Sequence, residues 1–308
     1  MQHYAIIFPP SFGRAVVTGN ESRSLSYLML KLQRYTFKGK QGACLRIADF
    51  ASQHIHTRHV DIWHPLDYDT SPTKHYPVLY MHDGQNLFDP VLSYIGVDWG
   101  LDQAISQLSS DRGLVGPIVV GIWNSPLRYL EYMPQRPFES IAGHPEALRF
   151  IKEKGGTPIS DAYLRCLTEE IKPFIDENFR TLPGPDSTFV MGSSMGGLIS
   201  LYAISSYPQV FGGAACLSTH WTIGGESFVA EMGKSLPASE NHRLYFDFGT
   251  QQQDAHYQPY QTRMDQYGIA AGYQPGKNWK TLRWEGHEHS ERAWRSRLDV
   301  PLKYLLCP

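Results

Sequence analysis

The chain has 308 residues, of which 42% are hydrophobic and 19% are charged. This composition supports a packed core and excludes a chain that is disordered throughout. The formal net charge of −2 gives no overall basic field, so we expect no nucleic-acid partner. No apolar run reaches the about 20 residues that a membrane helix needs, so we also expect no membrane span.

The first 45 residues differ from the rest of the chain. They carry several Lys and Arg residues but only one acidic residue, Glu21, and prolines and glycines interrupt any periodicity. We interpret residues 1–45 as a basic N-terminal extension, disordered or loosely packed, with a targeting arm or a partner-binding tail as the alternative. Residues 46–308 are expected to form one catalytic domain. The start, MQHYAIIFPPSFG, lacks the features of a secretory signal, which favours a cytoplasmic location.

The four cysteines, Cys44, Cys166, Cys216 and Cys307, are widely scattered and form no C-x-x-C pair. This spacing disfavours a disulfide framework or a zinc knuckle. We expect free and mostly buried thiols.

From about residue 46, strand patterns alternate with helical ones. Residues 58–63 alternate polar and apolar, as a half-buried strand does. Short apolar runs at 78–81, 118–122, 189–191, 214–217 and 244–248 are typical of strands buried on both faces of a parallel sheet, and 281–284 is a last strand. Helical spacing covers 163–175, with a kink or break expected at Lys172 and Pro173, and 199–207. The alternation predicts an α/β fold with a mostly parallel central sheet and helices on both faces.

The most informative segment is TFVMGSSMGG at residues 188–197, which contains G-x-S-x-G as Gly192, Ser194 and Gly196. An apolar strand enters this motif and a helix leaves it, which is the context of a nucleophile elbow. The turn presents the Ser194 hydroxyl above the sheet edge, and the Met195 N–H becomes one oxyanion donor. The alternative is a glycine-rich turn without chemistry.

A serine nucleophile needs a base and an orienting acid, which follow it in this architecture in the order acid, then histidine. Two histidines compete for the base, His287 and His289, and we favour His289 because it lies at the mouth of a helix that begins near Ser290. A His-x-His metal site is a further alternative, but it needs additional ligands.

The best candidate for the acid is Asp254, which lies in the loop beyond the 244–248 strand. Asp247 lies within that strand, and Asp265 lies within the next helical stretch. Asp254 as a helix N-cap is the alternative interpretation, since aspartate is common at that position.

The second oxyanion donor is expected in the loop after the 78–81 strand. Gly84 lets the backbone approach there, and the Gln85 N–H is predicted to point inward. We interpret the neighbouring His82 and Asp83 as residues that brace this loop rather than as a metal site or proton relay.

Substrate selection is expected in the irregular, aromatic stretch 123–160, since loops of this kind cap α/β pockets. His220 and Trp221 follow the 214–217 strand at the carboxyl edge of the sheet, where ligands bind in α/β proteins. We predict that both contact substrate, with aromatics that only seal the cap as the alternative.

The segments that carry chemistry resemble one known family. MHDGQNLFD at 81–89, GIWN at 121–124, MGSSMGG at 191–197, YFDFGT at 245–250 and EGHEHSE at 285–291 resemble the putative-esterase branch of the α/β-hydrolase superfamily. Enterochelin esterases, esterase D and feruloyl and acetyl-xylan carbohydrate esterases are related to that branch. The resemblance spans roughly residues 47–305 and leaves residues 1–45 unmatched.

The resemblance implies a catalytic triad of Ser194, Asp254 and His289, and it favours His289 because a tryptophan follows five residues later. It implies an oxyanion hole from the N–H groups of Gln85 and Met195. It also implies that three further residues border the substrate pocket: Trp99, Asn124 and Arg128. The implied reaction needs no metal and no cofactor.

These patterns predict a serine esterase that hydrolyses carboxylic esters through an acyl-enzyme. The expected substrate is a short-chain or sugar-linked small-molecule ester of acetyl or feruloyl type. An acyltransferase on the same triad, a hydrolase of siderophore trilactones and a non-catalytic binding module are the alternatives. The sequence does not indicate an oligomeric state.

Overall fold

The computed structural model describes residues 32–35 and 42–307. Their strands are β1 (Leu32–Tyr35), β2 (Ala43–Phe50), β3 (Arg58–His64), β4 (Val78–His82), β5 (Ile118–Ile122), β6 (Thr188–Ser193), β7 (Gly213–Leu217), β8 (Arg243–Gly249) and β9 (Trp279–Trp284). They form a nine-stranded sheet in the order β1-β2-β3-β5-β4-β6-β7-β8-β9.

The sheet combines an antiparallel edge with a parallel body. β1, β2, β3 and β5 pair antiparallel in that order. All neighbours from β5 through β4, β6, β7 and β8 to β9 are parallel. Every residue of β4, β5, β6 and β7 is buried, which explains why these strands read as continuous apolar runs. The predicted α/β fold with a mostly parallel sheet is confirmed.

The expected boundary between an extension and a domain falls inside β2. β2 pairs with β1 on one side and with β3 on the other, and the compact unit that holds the sheet begins at Leu32. The boundary at residue 45 therefore has to be corrected, because β1 and part of β2 belong to the sheet. β1 and β2 mix polar and charged residues, among them Arg34 and Arg46, with apolar ones, so they lack the apolar runs of the central strands. Residues 1–31 and 36–41, for which we expect disorder or loose packing, lie outside the described residues.

The helices of the described chain are α1 (Leu101–Arg112), α2 (Arg128–Tyr132), α3 (Gln135–Glu139), α4 (Pro145–Lys154), α5 (Ser160–Arg165), α6 (Lys172–Asn178), α7 (Met195–Ser206), α8 (Gly225–Lys234), α9 (Gln258–Ala270), α10 (Glu291–Ser296) and α11 (Asp299–Leu306). A π-helical segment, Cys166–Ile171, joins α5 to α6. The expected kink before Pro173 takes this form, since the wider turn accommodates a proline that has no N–H to donate.

One face of the sheet forms a continuous apolar core with α1 and α11. Alternate residues of the central strands, such as Leu79, Met191 and Leu217, pack there against Ile105 of α1 and Leu302 of α11. Parallel pairing brings the carboxyl ends of the central strands together at one edge, as the pairing of Ser193 with Leu217 and of Leu217 with Asp247 illustrates. The loops that leave this edge carry the candidate site.

The four cysteines are free, as predicted. Cys44, Cys166 and Cys216 are buried, and Cys307 is exposed. Burial raises the pKa of the Cys216 thiol, so this side chain remains protonated at neutral pH.

Candidate active site

Ser194 occupies the sharp turn between β6 and α7. Its backbone adopts φ 59° and ψ −120°, a conformation that non-glycine residues rarely adopt. Two backbone hydrogen bonds hold the turn: the Ser194 N–H donates to Leu217 O over 2.8 Å, and the Gly197 N–H donates to Ser194 O over 3.0 Å. The strain is therefore fixed by the end of β7 and by the first turn of α7, as in a nucleophile elbow.

Gly192 is required by the close approach of the chain to itself across the elbow. A Cβ atom at Gly192 would lie 2.8 Å from the backbone of Gly196. The first glycine of the G-x-S-x-G motif thus has a steric cause in this fold, whereas a Cβ at Gly196 would lie 3.5 Å from its nearest neighbours, an ordinary contact distance.

His289 and Asp254 are joined directly. Nδ1 of His289 lies 2.6 Å from Oδ1 of Asp254, and this aspartate is completely buried. A carboxylate only accepts hydrogen bonds, so Nδ1 carries the proton and Nε2 is the free ring nitrogen. Although burial acts in the opposite direction, the hydrogen bond from His289 holds the pKa of Asp254 below its ordinary value. Asp254 lies inside a 3-10 helix, Gln252–His256, where its side chain does not act as an N-cap.

His287, the competing histidine, has a different environment. Its carbonyl accepts hydrogen bonds from the N–H groups of Thr250 and Gln251, each over 3.0 Å, and its ring packs against Trp284. His287 thus supports the loop that leads to Asp254, while His289 contacts Asp254 itself.

The two predicted oxyanion donors lie at helix starts. Met195 is the first residue of α7, and Gln85 is the second residue of a 3-10 helix, Gly84–Asn86. The first N–H groups of a helix have no partner within it, so both are available to a ligand. The loop lies tightly on β5, since a Cβ at Gly84 would be 2.5 Å from the carbonyl carbon of Gly121.

A cavity of about 550 Å³ opens at this edge of the sheet. Ser194 and His289 line it together, as do Gln85 and the predicted substrate residues Asn124, Arg128 and His220. Burial lowers the pKa of His220 to about 3, so its ring is neutral. The volume is in the range of small-molecule sites.

Trp99 and Trp221, which were predicted to contact substrate, lie elsewhere. Trp99 is 3% exposed and packs in the core against Trp294, with ring centroids 5.7 Å apart. Trp221 is 1% exposed, packs against Phe246 in a tilted arrangement and donates its indole N–H to Gln261. Neither ring faces the cavity, because a large aromatic side chain gains more from burial in the core.

His82 and Asp83 brace the oxyanion loop, as expected. Asp83 accepts two hydrogen bonds from the Arg128 guanidinium, over 2.6 and 2.7 Å, and a third from the Asn124 side chain over 2.6 Å. His82 Nδ1 lies 2.7 Å from the Tyr163 hydroxyl. Although burial opposes the shift, the charge of Arg128 holds the pKa of Asp83 below its ordinary value. Arg128 and Asn124 thus reach the cavity from an anchored position.

The cavity also contains residues that the sequence reasoning missed. Glu291 and Gln253 line it, and Tyr94 and Ile95 stand at its rim with 86% and 39% of their surface exposed. Burial raises the pKa of the Glu291 carboxyl. The sequence could have indicated Glu291, because it lies only two residues after His289.

In the described part of the chain, no three His, Cys, Asp or Glu side chains are grouped to hold a metal ion.

Residues 52–305 match the family model described as putative esterase. The uncharacterized protein YbbA of Bacillus subtilis (strain 168) is 30% identical over 195 residues, which are 63% of this chain and 69% of YbbA. A solved ferulic acid esterase superposes with a TM-score of 0.62 at 16% identity, covering 86% of this chain and 98% of that one. The siderophore hydrolase EstA of Aspergillus nidulans superposes with a TM-score of 0.57 at 20% identity, covering 84% and 93%. These structures share the α/β-hydrolase fold.

None of the helices in residues 42–307 is long and apolar enough to cross a membrane.

Proposed function

The chain belongs to the putative esterase family and is an esterase, and we propose that it hydrolyses carboxylic esters through a triad of Ser194, His289 and Asp254. The observation that carries this proposal is the 2.6 Å contact between His289 Nδ1 and Asp254, with Ser194 and His289 lining one cavity. Asp254 orients the imidazole and stabilises the imidazolium that forms during the reaction. In this proposal the catalytic domain is the unit that begins at Leu32.

The reaction proceeds in two acyl-transfer steps. His289 Nε2 takes the proton of Ser194 Oγ as the oxygen attacks the ester carbonyl, and the tetrahedral oxyanion accepts hydrogen bonds from the Gln85 and Met195 N–H groups. Each such donor contributes about 3 kcal/mol to transition-state stabilisation in comparable sites. His289 then protonates the leaving alcohol, and a water molecule deprotonated by the same imidazole releases the acid from Ser194.

The surroundings of the cavity support a small, hydroxylated ester as substrate. Asn124, Gln253 and Glu291 offer polar side chains inside the cavity, while Tyr94 and Ile95 offer apolar surface at its rim. A sugar presents hydroxyl groups to the first set, and an aromatic or short acyl group contacts the second. We therefore propose short-chain or sugar-linked esters of acetyl or feruloyl type.

The test is hydrolysis of p-nitrophenyl acetate and butyrate by the wild-type chain and by Ser194→Ala. We expect turnover only with Ser194 present. Ser160→Ala is the matched control, because Ser160 is a buried serine whose hydroxyl accepts a hydrogen bond from Gln135 N away from the cavity. Equal background rates for the wild type and Ser194→Ala would refute the proposal. A panel of feruloyl sugars, acetylated xylan and siderophore trilactones then identifies the ester class.

A further inference from the structure

A fully buried serine, Ser218, lies behind the proposed catalytic acid. It directly follows β7, is 0% exposed and has a φ of 42°, in the region that favours glycine. Its Oγ lies 2.6 Å from Oδ2 of Asp254, the oxygen opposite to the one that contacts His289. A strained backbone at a buried polar residue next to a catalytic acid suggests that its placement matters to the reaction.

The hydrogen bonds of Ser218 fix the direction of its proton. The indole N–H of Trp294 donates to Ser218 Oγ over 2.9 Å, and Nη2 of Arg297 donates to the same oxygen over 3.0 Å. Indole and guanidinium groups donate only, so these two bonds fill the acceptor sites of the hydroxyl. The single proton of Ser218 is therefore directed at Asp254.

Arg297 is the cation on the far side of this hydroxyl. Its side chain is 0% exposed and pairs with Asp247, whose side chain is also 0% exposed, over 2.9 and 3.1 Å. The Tyr245 hydroxyl donates to Asp247 over 2.9 Å as well. The charge of Arg297 is thus balanced by Asp247, and the neutral hydroxyl of Ser218 lies between the guanidinium and Asp254.

We propose that Ser218 is a positioning residue that holds Asp254 toward His289 and keeps it from pairing with Arg297. A direct pair with the buried guanidinium would draw the negative charge of Asp254 away from His289. Asp254 would then stabilise the His289 imidazolium less in the transition state. This inference rests on the proposed triad, and it adds a role for Ser218, Trp294 and Arg297 that lies outside it.

The alternative is that Ser218 only satisfies buried donors and adds stability. The two roles predict different results for Ser218→Ala, which leaves Trp294 Nε1 without its acceptor and removes one of the two acceptors of Arg297 Nη2. If Ser218 positions Asp254, its loss lets Asp254 turn toward the guanidinium, which still pairs with Asp247, and the hydrogen bond between Asp254 and His289 weakens. If Ser218 is only structural, stability falls while the Asp254–His289 hydrogen bond is retained.

The experiment compares the full-length wild type, Ser218→Ala, Ser218→Cys and the control Ser160→Ala, with folding checked by circular dichroism. Steady-state kinetics with p-nitrophenyl acetate give kcat and KM, and proton NMR follows the low-field resonance of the His289 Nδ1 proton. For Ser218→Ala we expect kcat to fall about 10- to 100-fold, as for outer partners of metal-binding histidines, with KM unchanged and the resonance shifted upfield or lost. Ser160→Ala is expected to retain the kcat and the resonance of the wild type.

Ser218→Cys keeps a small, weakly donating group and fills the site if the alanine variant does not fold. We expect an intermediate kcat and a resonance between those of the wild type and Ser218→Ala. A folded Ser218→Ala or Ser218→Cys with wild-type kcat and an unchanged resonance overturns the inference, as does a fall in kcat with that resonance unchanged. Activity that survives in Ser194→Ala would instead refute the proposed function, so the two failures are distinguishable.

Discussion

Asp254 precedes His289 by 35 residues in the chain, and its Oδ1 lies 2.6 Å from Nδ1 of that histidine. The two side chains come from separate loops, one after β8 and one after β9, which parallel pairing brings to the same edge of the sheet. His287 is only two residues from His289, yet it contacts the Asp254 loop through its backbone carbonyl.

This difference predicts that alanine substitutions of the two histidines lower kcat by very different amounts. His289→Ala is expected to lower kcat by about 10⁴-fold or more, because the base is lost. His287→Ala is expected to keep kcat within about tenfold of the wild type, a small loss compared with removal of a triad member, since alanine retains the carbonyl that holds the loop. Kinetics with p-nitrophenyl butyrate measure both. A folded His287→Ala that is as inactive as His289→Ala would contradict the assignment of the base.

The elbow glycine gives a steric prediction. Gly192→Ala places a Cβ 2.8 Å from the Gly196 backbone, so the turn that carries Ser194 must shift. We expect about 1–3 kcal/mol of lost stability together with a large loss of kcat. Urea unfolding and ester hydrolysis measure the two effects.

Gly143→Ala is the matched control for Gly192→Ala, because nothing lies within 4 Å of a Cβ added at Gly143. It is expected to leave stability and kcat near the wild-type values. If Gly192→Ala behaved like Gly143→Ala, the elbow would not need the close approach of Gly192 and Gly196.

Much of the fold was predictable from the sequence, because strands buried on both faces leave continuous apolar runs. The antiparallel strands β1 and β2 were not predicted, since polar and charged residues such as Arg34 and Arg46 interrupt their apolar positions. The motifs in the sequence pointed to Ser194, Asp254 and His289, and the structure brings these three residues to one edge of the sheet.

Other parts of the site could not be predicted. Trp221 closely follows β7 and Trp99 lies just before α1, but only packing decides whether a large aromatic side chain faces the cavity or the core. Ser218 belongs to no motif, and its role depends on three partners that are 36 to 79 residues away in the chain. Such a contact set exists only once the sheet has formed.

The brace of the oxyanion loop is expected to contribute to stability. Asp83→Asn removes the charge that holds Arg128 but suits the left-handed backbone of this position, where φ is 56°. We expect a loss of about 2 kcal/mol in the free energy of unfolding, measured with urea at neutral pH. Asp67→Asn is the control, since the side chains of the Asp67–Lys74 pair are 42% and 36% exposed and the pair should contribute little. Equal unfolding midpoints for Asp83→Asn and the wild type would argue against this brace.

Acid is expected to destabilise the fold through His82. Burial lowers the pKa of His82 in the folded chain to about 3, from an ordinary value of 6.5. Between these values the unfolded chain binds a proton at His82 that the folded chain does not. Stability therefore falls as pH decreases from 6.5 toward 3, by up to about 1.4 kcal/mol per pH unit for this group.

Urea unfolding at several pH values tests this prediction against His82→Asn, which removes the titrating group. The variant is expected to be less stable at neutral pH, because the hydrogen bond to Tyr163 is altered, but its stability should depend less steeply on pH. If the stability of the wild type and of His82→Asn depended on pH in the same way, His82 would not be titrated as proposed.

The central claim is that Ser194 carries the acyl group during ester hydrolysis. The most direct test is to trap this acyl-enzyme. The enzyme is mixed with p-nitrophenyl butyrate and quenched with acid within the first turnover, and its peptides are then mapped by mass spectrometry. The account predicts one butyryl group, located on Ser194 and absent from Ser194→Ala. A butyryl group on another residue that turns over at the catalytic rate, or turnover that persists in Ser194→Ala, would contradict it.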